Sequence, residues 1–171
     1  MPAQLLLTAS GPTASVDLSA ALVMQPTTFA DWLIVLPVAL CIGLGAVLMM
    51  IRHQTRLHAP IAIAGLAILV GLDAAIAWRV ALNGPFTMVM GRWLPPFGIA
   101  FTADLTGALF ALTGGIVALV CAIHAARDID ESGRRYGFYP FLMLLMAGVT
   151  GAFLTGDIFN LYVWFEVLLV S

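Results

Sequence analysis

Four apolar runs of similar length, Trp32–Ile51, Ile61–Leu82, Leu105–His124 and Phe138–Leu154, dominate this chain. A helix needs roughly 20 apolar residues to cross a hydrocarbon core of about 30 Å, and each run meets or approaches that length. A fifth run, 158–171, reaches the last residue, Ser171. Lipid cannot satisfy backbone N–H and C=O groups, and no alternation of period two runs through these stretches. The expected fold class is all-α, a polytopic transmembrane helix bundle of about five spans with the last one truncated. Residues 32–171 form the expected membrane domain. Residues 1–31 are less apolar and lack a basic start, so they read as an N-terminal extension rather than a cleaved leader.

Charge agrees with that solvent. Charged residues make up 9% of the chain and hydrophobic residues 62%, whereas soluble domains carry about 25% charged residues. The expected partners are therefore the lipid bilayer and other subunits. A net charge of -2 gives no reason to expect nucleic acid. Cys41 and Cys121 lie in separate apolar runs and read as small buried packing residues, while His53 and His58 fall in a short basic loop. No disulfide, metal site or cofactor is expected. No nucleophile–base pair or Gly-rich phosphate loop appears, so the chain does not read as an enzyme.

Arginine placement sets the direction of the spans. Arg52 and Arg56 follow the first run, and Arg127, Arg134 and Arg135 follow the third. The positive-inside rule puts both loops in the cytoplasm and the N-terminus outside. On the outer side, Asn83-Gly84-Pro85 signals a turn. Two short extended stretches around Gly91 can pair as a hairpin, with Pro95 and Pro96 confining the second to an edge. Asp104 and Asp157 are placed to cap the N-termini of the third and fifth helices. Arg79 is expected to snorkel with Trp78 to the outer interface. Ala147, Gly151 and Thr155 recur every four residues, a small-residue face suited to close helix packing.

The acids inside the spans carry the functional question. Glu166 lies eight residues past Ile158, about 12 Å into the helix at 1.5 Å per residue. A carboxylate near the bilayer centre costs about 2.5 kcal/mol or more. It persists if it faces a cavity, meets a cation or holds a proton. Phe159, Tyr162, Val163, Leu169 and Val170 share its helical face, and only Tyr162 there offers a hydrogen bond. A charged partner must come from another helix. The alternative is a structural polar contact between helices. Asp73, in the second run, reads either as structural or as part of an ion path. His124, at the inner end of the third, reads as a proton relay or an interfacial cap.

The stretch "RYGFYPFLMLLMAGVTGAFLTGDIFNLYVWFEVLLVS", Arg135 to Ser171, resembles the proton-conducting membrane transporter family, which includes antiporter-like subunits of respiratory complex I and the Mrp-type multisubunit cation/proton antiporters. "TGDIFNLYVWFE" and the outer loop "GRWLPPFGIAFTAD" are most similar to the D subunits of the Mrp type. The resemblance covers about residues 32–171. It implies the N-terminal part of a bundle of about fourteen helices with inverted repeats, in a bacterial inner membrane. It also implies a subunit that helps exchange Na⁺, or another monovalent cation, for H⁺. Glu166 matches the family glutamate that faces a lysine on a later span, and this chain carries no lysine. Two further readings stay open: a proton-pumping subunit of complex I or of a membrane hydrogenase, and a truncated assembly scaffold that does not transport.

Overall fold

The computed structural model describes residues 27–91, 93 and 98–171. Most of the expected N-terminal extension, and Pro95 and Pro96 of the outer loop, lie outside the described residues. A 3-10 turn, Phe29–Ile34, leads into α1 (Leu36–Met50). Then come α2 (Thr55–Asn83), strands β1 (Phe86–Met90) and β2 (Ile99–Ala103), α3 (Leu105–Asp128), the short α4 (Glu131–Arg135), α5 (Phe138–Phe153) and α6 (Ile158–Val170). α2 and α3 are long and apolar enough to cross a membrane, and α1, α5 and α6 are shorter apolar helices.

The helix borders shift from the expected ones for local reasons. The first α-helix starts at Leu36 rather than Trp32, because the residues before it wind as a 3-10 turn. Pro37 then occupies the first helical turn, where its missing N–H costs nothing. α2 starts at Thr55, six residues before the expected border, and runs through Pro60. Arg56 and His58 are therefore helical rather than in a loop, and His58 is buried with Nε2 3.2 Å from the carbonyl oxygen of Ile51. α3 continues to Asp128, so His124 lies within the last turns of the helix rather than at its end. The charged connector after it is partly ordered as α4, with Asp130 accepting from the Gly133 N–H.

The hairpin forms as expected. β1 and β2 pair antiparallel from Phe86↔Ala103 to Met90↔Ile99. Gly84, with φ 85 and ψ 177, ends α2 in a conformation that only glycine adopts readily. The hairpin is not isolated. The turn between α5 and α6 lies along β2: Thr102 N–H donates to Leu154 O, and Gly156 N–H donates to Ala100 O, each at 2.8 Å.

Two hydrophobic clusters form the core. One gathers Cys41, Leu48, Leu66, Leu69, Ala122, Tyr139 and Met143 from α1, α2, α3 and α5. The other gathers Ile34, Val38, Ile76, Met88, Phe101, Leu154 and Trp164 toward the hairpin end. α3 turns Ala108, Ala111, Gly115, Ala118 and Ala122 inward, so the bundle can close tightly on it. Many large apolar side chains point outward, among them Ile68, Phe110, Val117 and Val120. That surface suits lipid or further helices, not water.

Candidate ion-path site

Helix α6 is built from its first residue. One Asp157 carboxylate oxygen accepts from the Asn160 N–H at 2.7 Å, and the other accepts from the Ala100 N–H at 2.8 Å. The expected cap is present, and it also ties the helix to β2. Asn160 was missed in the sequence. It is buried, and its Nδ2 donates to Ala100 O at 3.3 Å. An amide inside "IFNLY" was the signal that could have revealed it. Asp104 caps α3 as expected, accepting from the Gly107 N–H at 2.7 Å.

One face of α6 packs and the other does not. Trp164 is buried beside Phe101, ring centroids 6.1 Å apart. Gly148 and Gly151 of α5 receive α6: a methyl at Gly151 would enter the Trp164 indole, and one at Gly148 would lie 2.8 Å from Leu168 Cγ. Ala147, counted with Gly151 in the sequence, is buried in the other cluster instead. Phe159, Tyr162, Val163, Leu169 and Val170 are all exposed, Tyr162 by 62%. Glu166 lies on this open face with Tyr162. Among the described residues no cation pairs with it; the ion pair found there is Arg79–Asp31.

Asp73 is placed quite differently. It is 1% exposed on α2, with neither carboxyl oxygen hydrogen-bonded among the described residues. α6 packs mainly on α5 and β2, and α2 on α3, α1 and α5, so Asp73 and Glu166 are not brought together. His124 is exposed near the other end of α3, away from both acids. Cys121 is exposed as well, contrary to its expected burial.

Arg79 does not simply reach for the interface with Trp78. Its guanidinium bonds to the Ala30 carbonyl, lies 3.0 Å from the Asp31 carboxylate and sits 3.8 Å over the Phe86 ring centroid. It pins the 3-10 turn to the hairpin. Hydrogen bonds from Thr28, with help from Arg79 and against partial burial, hold the Asp31 carboxyl below the usual aspartate range.

Fold and site together define a class: a polytopic helical membrane segment with carboxyl groups carried on its apolar helices. No family model matches the chain. It is 38% identical over 142 residues to the D subunit of the Na⁺/H⁺ antiporter of Alkalihalophilus pseudofirmus, a match covering 81% of this chain and 28% of the relative. It is 34% identical over 152 residues to the D subunit of a probable K⁺/H⁺ antiporter of Rhizobium meliloti, covering 85% and 28%. Its structure matches a chain of the Mrp complex from Dietzia sp. DQ12-45-1b with a TM-score of 0.74 and 29% identity, over 84% of this chain and 26% of that one. The chain is thus a homologue of the N-terminal part of antiporter D subunits, and it spans about 28% of their length.

Proposed function

We propose that this chain supplies the opening helices of a D-type subunit in a multisubunit antiporter that exchanges a monovalent cation, Na⁺ or K⁺, for protons across a bacterial inner membrane. Glu166 is the proton-exchanging group. One observation carries this role: α6 is fixed along one face by Trp164 and at its start by Asp157, while the face with Glu166 stays open. A carboxyl about 12 Å into such a helix is placed for a partner from another helix or subunit. The antiporter relatives support the wider setting. The arginines of the Ile51–Gln54 turn, the start of α2 and the α3–α5 connector support a cytoplasmic face there, with the N-terminal extension outside.

The test uses the full-length protein in its assembled complex. Glu166→Gln keeps size and hydrogen bonding but cannot release a proton. It is expected to lower cation-driven proton movement in everted vesicles by on the order of 10²-fold, with assembly intact. Glu166→Asp retains a titrating group one methylene back and should keep partial exchange. Near-normal exchange by an assembled Gln variant would remove Glu166 from the proton path and favour a packing role.

A further inference from the structure

Asp73 lies where the two hydrophobic clusters meet. Leu69, one turn before it, belongs to the first cluster, and Ile76, one turn after it, to the second. Opposite stands Gly115 of α3. A methyl there would come within 3.3 Å of both Asp73 Oδ2 and Val70 Cγ2 and within 4.0 Å of Leu69 Cδ2. The missing side chain of Gly115 is what makes room for the carboxyl. Cys41 of α1, also buried, belongs with Leu69 to the first cluster. Asp73 is 1% exposed, so the chamber is closed within the bundle, with Gly115 of α3 against the carboxyl. Unlike the Glu166 face, it needs no further helix to complete it.

Among the described residues no cation answers this carboxyl. α1 holds no charged residue, and Cys41 is its titratable group. α3 carries Cys121, His124, Arg127 and Asp128, all toward its inner end, and α5 carries Tyr139 in its first turn. Arg79, six residues along α2, is engaged with Asp31, Ala30 and Phe86. A hard cation would need several oxygen donors around it. Gly115 stands against Asp73, with the Val70 and Leu69 side chains beside it, and no cluster of His, Cys, Asp and Glu forms among the described residues. A neutral carboxyl suits this chamber. Its O–H can turn back to the Leu69 carbonyl, as the Thr113 hydroxyl does to Leu109 O at 2.8 Å. An ionised carboxyl would stand unpaired in an apolar enclosure.

We propose that Asp73 is a second proton-binding site of this chain, separate from Glu166, that holds its proton as the neutral acid between α2 and α3 and gives it up during turnover. The site lies about 15 Å from the outer end of α2, a depth similar to that of Glu166 below the start of α6. The turnover clause rests on the antiport reading; the binding clause does not.

The experiment is infrared spectroscopy of the assembled complex at neutral pH, with aspartate labelled by ¹³C at the side-chain carboxyl. Expected is a protonated-carboxyl band that shifts with the label and disappears in Asp73→Asn. Asp73→Glu is the second variant: it keeps an acid in place, so the band remains but loses its isotopic shift. Lack of a labelled neutral-aspartate band in the wild type, or its persistence in either variant, would overturn the binding site. In transport, Asp73→Asn should lose cation-driven proton exchange and Asp73→Glu should retain part of it. Normal exchange by the Asn variant would overturn the turnover role. Failure of the antiport reading is distinguishable, because wild-type vesicles would then lack the exchange while the infrared result stood.

Discussion

Asp157 shows what a single residue can hide. Its role as a cap was legible, since an acid just before an apolar helix accepts free N–H groups. Its second bond, to Ala100, was not, because the partner lies 57 residues away. Asn and Asp cap helices about equally well, but Asn would set an NH₂ donor, not an acceptor, against one of these two N–H groups. The Asp31–Arg79 pair was hidden for the same reason, with partners 48 residues apart. Because the Asp31 carboxyl is held below its usual range, folding gains from it at pH above the ordinary aspartate value. That gain is lost as pH falls through the lowered, folded-state value. Asp31→Asn is therefore expected to cost the full-length protein about 1 kcal/mol at neutral pH. The gap between wild type and variant should close in strong acid. Thermal melts of the purified protein across pH check this, and a gap that widened toward acid would contradict it.

Among the elements, the five apolar helices and the hairpin were legible from run length and turn residues. Their borders were less so. The early start of α2 depends on His58 finding a buried place, which no local pattern reports. The small residues of span 4 announced close packing, but not which helix would use it. Gly148 and Gly151 take α6, and Ala147 takes the opposite cluster. Substitution should separate these roles. Gly151→Ala forces a methyl into the Trp164 ring and is expected to destabilise by about 1–3 kcal/mol. Gly71→Ala, on α2 with open space around it, should be neutral or stabilising by up to about 1 kcal/mol. Denaturation of the two variants in detergent compares them; equal effects would mean that the α5–α6 seam is not as tight as the geometry shows.

On the scale of the whole molecule, the split of α6 into a packed and an open face was not legible in the sequence. Hydrophobic residues surround Glu166 on every side in sequence, so only packing could say which of them meet α5. The proposed direction is checked with single cysteines at two exposed positions, Thr27 and Ser132. A membrane-impermeant thiol reagent added outside intact cells should label Thr27→Cys and spare Ser132→Cys, and the reverse pattern would invert the topology. The seam between α5 and α6 also bears on how such sequences can drift over time. Gly151 and Trp164 share one volume, the ring occupying what a side chain at 151 would fill. Neither position can grow alone. The pair behaves as one heritable unit, in which bulk gained on α5 must be given up on α6, and α6 is the helix that carries Glu166.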